Sequence, residues 1–230
     1  MAYDRKLSDL PDAASTETIT LNSCYNISMK VTYEAYDGML NDILERKGGV
    51  LTASDASNAN VPKKAFYRFI RENELERASH GIYVGPDEIP DELFLLQQRY
   101  PKIVFSHQTA LWLHDLAERE PLPISLTVDS GYNAGSLSDQ GVKIYYVKPD
   151  WYGMGLCEAK SPGGHLVRTY DKERTICDMI RRRKAADPAA YRYALRRYAE
   201  SPGKNLLNLS EYAQKMGIER QVVQAMEVLL

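Results

Sequence analysis

The stretch from Leu51 to Val84 constrains the fold more than any other part of this chain, because helical periodicity and turn punctuation agree along it. Thr52 can accept hydrogen bonds from the N–H groups that follow, which predicts a short helix over 52–59. Asn60-Val61-Pro62 reads as a turn, since Asn60 tolerates left-handed backbone and Pro62 suits the first position of a helix. From Lys63 to Arg71, Ala65, Phe66, Phe69 and Ile70 share one helical face, while Lys63, Lys64, Tyr67, Arg68 and Arg71 share the other. Leu75 to Val84 then reads as two short strands around Gly81, tipped by Arg77 and His80. Two helices across a tight turn, the second basic on its outer face, followed by a hairpin, make the pattern of a winged helix-turn-helix that enters a major groove. Lys63, Lys64 and Arg71 are then suited to phosphates, Tyr67 and Arg68 to base edges, and Arg77 and His80 to the wing. The expected partner is double-stranded DNA; the competing reading is a helix pair used for packing or protein contact.

Upstream, Glu34–Lys47 predicts a helix with Met39, Leu40, Ile43 and Leu44 on one stripe, stopped by Gly48-Gly49. Residues 1–30 lack periodicity and read as an extension or disordered tail, with Met29 an alternative start. The winged domain is expected over 31–86, with Asp87 to Pro90 as connector. Over 91–230 the chain predicts an α+β domain ending in helices. Helices are expected at 91–100, at 108–117 with Ser106 as cap, at 173–184 with Asp171 as cap, at 188–199, at 210–216 and at 220–230. Strands are expected at 102–105, 124–128, 142–147 and 165–170, with a hairpin turn at 161–164.

Charge is close to balanced, with 29 Lys and Arg against 31 Asp and Glu. That excludes a histone-like protein but leaves room for a local basic face. Acidic residues dominate from Gly85 to Gln140. A basic region then gathers Arg181, Arg182, Arg183 and Lys184 with Arg192, Arg196 and Arg197. It is either a solvated helix end favoured by the dipole or a second surface for nucleic acid or an acidic partner. No apolar run is long enough to span a membrane and no signal peptide is visible. Cys24, Cys157 and Cys177 have no paired spacing, which points to a reducing, cytoplasmic setting.

His80, His107, His114 and His165 do not fall at metal-ligand spacing. Asp150 with Glu158 and Lys160 superficially matches a magnesium-dependent nuclease. A second helix-turn-helix spacing at 208–226 carries Glu219 and Glu227, a surface that would repel phosphate, and reads as a packed helical pair. No catalytic residue, cofactor or metal is expected.

An ordered set of segments carries a resemblance. After the wing come Ser106-His107-Gln108-Thr109-Ala110-Leu111-Trp112-Leu113-His114-Asp115-Leu116, the strand Ile124–Val128, and a Glu173-Arg174-Thr175 and Asp178 cluster. Helices over 209–230 complete it. The set, from about Glu34 onward, resembles the AbiEi-type antitoxins of bacterial type IV toxin–antitoxin systems, which are also transcriptional regulators. The resemblance implies a winged domain that represses its own operon at inverted repeats, as a dimer or as cooperative monomers. It also implies a C-terminal domain that counters a nucleotidyltransferase-like toxin without a stable complex. A stand-alone winged-helix regulator is the alternative. By their own chemistry, Glu173, Arg174, Asp178, Ser106 and His107 read as scaffold: a carboxylate at a helix start and an i,i+4 pair.

Overall fold

The computed structural model describes residues 33–86 and 89–227. The expected extension over residues 1–30, Cys24 and Met29 lie outside the described residues. The architecture is mixed α+β, and the chain divides into two compact units, Met1–Glu88 and Ile89–Leu230.

In the first unit, residues 33–46 are helical (α1), followed by β1 (Val50–Thr52), α2 (Ala53–Asn58), α3 (Lys63–Glu72), β2 (Glu76–Ser79) and β3 (Ile82–Val84). Leu40, Leu51, Ala56, Val61, Ala65, Phe66, Phe69, Ile70 and Leu75 form its core. Met39, expected on the α1 stripe, is exposed. Thr52 and Asp55 cap α2 reciprocally, and Asn60 takes the left-handed turn (φ 55). Pro62 stands one position earlier than expected, at the N-cap of α3, so Lys63 begins the helix. The three strands form a sheet in the order β1-β3-β2. A register shift between Arg77 and Ser79 bulges the hairpin.

The second unit holds a five-stranded sheet in the order β6-β5-β4-β8-β7. Its strands are β4 (Val104–Phe105), β5 (Ser125–Asp129), β6 (Lys143–Val147), β7 (Leu156–Lys160) and β8 (Leu166–Tyr170). β5 runs parallel to β6 and β4 parallel to β8, while the β4–β5 and β7–β8 pairs are antiparallel. On β7, an edge strand, Leu156, Glu158 and Lys160 are exposed.

The helices are α4 (Glu92–Arg99), α5 (His107–Leu113), short α6 (Gly135–Ser138) and α7 (Pro149–Tyr152), α8 (Lys172–Arg181), α9 (Pro188–Glu200), α10 (Leu206–Met216) and α11 (Glu219–Met226). α8 contacts α5, α9, α10 and α11, around Ile176, Cys177, Ile180, Leu195, Tyr198, Leu209 and Met216. The 208–226 segment is a helical pair, joined by left-handed Gly217, that buries Leu209, Ala213, Val222 and Met226 in this core. Asp171 caps α8 as expected. Ser106 makes no side-chain cap at α5. Its hydroxyl instead accepts from Thr127 Oγ1 at 2.8 Å and lies 3.0 Å from His107 Nδ1.

Candidate nucleic-acid interface

The polarity of α3 follows from its residue spacing. Ala65, Phe66, Phe69 and Ile70 are buried, and Phe66 meets the Tyr83 ring edge-on at 5.6 Å. Lys63, Lys64, Tyr67 and Arg71 are exposed. The side chains of the two lysines and Arg71 make no hydrogen bond or ion pair with described residues, so their charge is offered to solvent. Asn73 and left-handed Glu74 (φ 53) end the helix, where Leu75 N–H donates to the Ile70 carbonyl.

Arg68 is placed differently from its sequence expectation. It is half-buried, with Nη2 2.5 Å from Asp37 Oδ1 and Nε 3.6 Å from Glu72. Its guanidinium also covers the Tyr33 ring at 4.3 Å. A cation held by α1 in this way braces the helix pair and is not free at mid-face for base edges. Tyr67, next to it, is exposed.

The hairpin is fastened to α2, because Ala53 N–H donates to the Gly81 carbonyl at 2.8 Å. Gly81 adopts φ +71, a conformation its missing Cβ permits. Arg77 and His80 are exposed at the tip. Arg77 Nη2 lies 3.1 Å from His80 Nδ1 and Arg77 Nε donates to the Ser79 carbonyl. Lys47 and Asp55 close the far side of α2 with an ion pair of 2.9 Å.

The basic run of the second unit divides in two. Arg181 lies over the Trp151 ring at 4.9 Å and Arg182 over Tyr145 at 4.7 Å, so both stack on aromatic faces. α8 ends at Arg181, three residues short of its expected end, and Arg183 and Lys184 lie in a 3-10 turn. Arg183, Lys184, Arg192, Arg196 and Arg197 are exposed. Arg196 pairs with Glu200 at 2.9 Å.

The Glu173-Arg174-Thr175 and Asp178 cluster is buried. Arg174 pairs with Asp178 at 3.0 Å, donates to the carbonyls of Trp151 and Met154, and lies 4.4 Å from the Tyr170 ring centroid. Burial pushes the Asp178 carboxyl up, opposed by the Arg174 charge. Glu173 accepts from Tyr198 Oη and from Asn205 N–H. These bonds tie α8 to its neighbours.

His107 is also buried, stacked on Tyr145 at 3.5 Å. Burial, then the charges of Arg182 and Arg181, hold its pKa well below the usual histidine range. His114 is lowered too, by burial, against the hydrogen bond to the Tyr170 carbonyl at 2.7 Å. Desolvation raises the Cys157 thiol to about 11 and Cys177 to about 12, so both are weak nucleophiles at neutral pH.

Asp150 stands on α7, while Glu158 and Lys160 stand on β7. No group of three or more His, Cys, Asp or Glu poised to hold a metal occurs among the described residues. No helix among them is long and apolar enough to cross a membrane.

No curated protein matches the chain. A solved structure, that of the RV2827C protein from Mycobacterium tuberculosis, superimposes with a TM-score of 0.52 at 15% identity. The match covers 85% of this chain and 76% of that one, a likeness of fold. The α1–β3 segment, residues 39–84, matches the family model described as "Transcriptional regulator, AbiEi antitoxin", so the expected resemblance to that family is found in the segment that carries the basic helix.

Proposed function

We propose that residues 33–86 are a winged helix-turn-helix that binds double-stranded DNA, and that the chain is the antitoxin and autorepressor of a type IV toxin–antitoxin operon. One observation carries the DNA reading. α3 turns four apolar side chains inward and presents Lys63, Lys64, Tyr67 and Arg71 outward, the three cations without side-chain partners among the described residues. Exposed, uncommitted cations on the second helix of such a pair are what phosphate contact requires. The β1-β3-β2 sheet, with its hairpin bonded to α2, supports the wing. Lys63, Lys64 and Arg71 take phosphates, Tyr67 reads base edges, and Arg77 and His80 flank the adjacent groove. Arg68 serves as the brace between α3 and α1.

The antitoxin reading rests on the family match over 39–84. In it the second unit counters a nucleotidyltransferase-like toxin, without a catalytic step of its own and without a stable complex. The test pairs two assays. Gel shifts with the DNA upstream of the chain's own gene should show binding that Lys63→Ala with Lys64→Ala weakens. Co-expression with the adjacent gene product should relieve its growth arrest. Unchanged binding in the double variant removes the DNA interface, and growth arrest that persists leaves a plain regulator.

A further inference from the structure

The second unit has a cavity of about 590 Å³ that the DNA-binding reading does not use, lined by side chains of α9, α11 and the 3-10 turn after α8. Arg183, Arg192 and Arg196 stand around it, Tyr191 and Tyr193 flank it, and Leu195 and Ala225 help line it. Among the described residues, no carboxylate and no lysine lines it. The guanidiniums of Arg183 and Arg192 make no hydrogen bond or ion pair with described residues. Among the described residues, the Arg196 guanidinium is held by Glu200, in an exposed pair of the kind that exchanges readily.

Each ingredient has a chemical reading. Volumes of about 300–1,000 Å³ suit small-molecule sites. Guanidiniums grip phosphate oxygens two at a time and also stack on planar rings, which ammonium groups do not. Tyrosine faces accept any base, because every base has a π-face. Arg192 and Arg196 lie one helical turn apart, about 6 Å along the axis, so each can meet a different phosphate. A peptide of aspartates and glutamates would satisfy the arginines but has no aromatic ring to lay against the tyrosines.

We propose that this arginine-rimmed, tyrosine-flanked cavity binds a nucleotide, its base against Tyr191 and its phosphates on Arg183, Arg192 and Arg196. The nucleotide is either free or part of a single strand. The site is formed by residues of the second unit and does not depend on the winged unit binding DNA.

The test uses the full chain and a fluorescent single-stranded oligonucleotide of about twelve nucleotides, read by anisotropy. Arg183→Glu with Arg192→Glu should weaken binding by at least about tenfold, Tyr191→Ala by about fivefold or more, and Tyr191→Phe hardly at all. Melting curves check that each variant folds. Lys63→Ala with Lys64→Ala should keep single-strand binding while duplex binding falls, which separates the two interfaces. Competition by ATP identifies a free nucleotide as occupant. Failure of ATP to compete, with oligonucleotide binding intact, identifies a strand. Equal affinity in the Arg183→Glu, Arg192→Glu variant overturns the proposal. So does competition by polyglutamate as effective as by the unlabelled oligonucleotide, which would make the cavity a dock for acidic protein.

Discussion

The guanidinium of Arg68 on α3 meets the carboxylate of Asp37 on α1 at 2.5 Å, across 31 residues of sequence. It lies over the Tyr33 ring at the same time. Because both partners are partly exposed, the ion pair is worth only about 0.5–1 kcal/mol. Asp37→Ala should therefore lower stability modestly in urea titrations. It should also strengthen sequence-independent DNA binding in gel shifts, since it releases a cation beside the proposed groove-facing surface. A weaker duplex affinity in that variant would show that the pair is itself part of the interface.

Phosphate contacts and base contacts separate by salt. Lys63→Ala and Lys64→Ala should each lower affinity for all duplexes alike, and each should flatten the slope of log K against log salt by about one. Tyr67→Ala should instead erode the preference for operator over random DNA and leave that slope nearly unchanged. Titrations on both duplexes at several salt concentrations read the two effects.

Gly155 combines φ +75 with a close approach: a Cβ there would stand 2.7 Å from Arg174 Cβ. Gly155→Ala should cost about 3 kcal/mol or more, from left-handed strain plus displacement of a buried side chain. The loss should show as a lower melting temperature of the second unit.

Arg174 and Asp178 stabilise each other out of water, so removing one strands the other. Arg174→Ala should cost about 3–5 kcal/mol, whereas Arg174→Met with Asp178→Leu, similar in volume and uncharged, should cost much less. Chemical denaturation of the two variants makes the comparison. A double replacement as damaging as Arg174→Ala would mean that the carbonyl contacts to Trp151 and Met154 matter more than the pair.

His107 is kept neutral in the fold, first by burial and then by Arg182 and Arg181, well below the ordinary value of 6.5. The unfolded chain takes up the proton near pH 6.5 and the folded chain does not, so its contribution to stability is present above that pH. It is lost as pH falls toward the folded pKa, and His114, also lowered, adds in the same direction. Unfolding free energy should fall between about pH 7 and 5.5, and His107→Gln should flatten part of that slope.

Local punctuation explains what the sequence alone reveals. Thr52, Asn60, Pro62 and the apolar spacing of 65, 66, 69 and 70 act within a few positions of one another, and α2, α3 and the outward lysines follow from them. β1 and β7 were not expected. Val50–Thr52 is three residues long, and Leu156–Lys160 has no β-branched residue, so pairing with β3 and β8 is what makes them strands. The same limit applies to the arginines. Sequence shows that Arg68, Arg181 and Arg182 are charged, but not that Asp37, Trp151 and Tyr145 lie opposite them.

Among the described residues, β6 and β7 each leave one border of the five-stranded sheet without a partner strand. Lys143 sits on one border, and Glu158 and Lys160 on the other, all facing water. A neighbouring molecule adding a strand there would have to strip those charges of hydration, which guards the sheet against stitching itself to other copies. Glu158→Thr with Lys160→Thr removes that guard from the β7 border, and concentrated protein should cloud on standing, visible as rising light scatter, while the native chain stays clear.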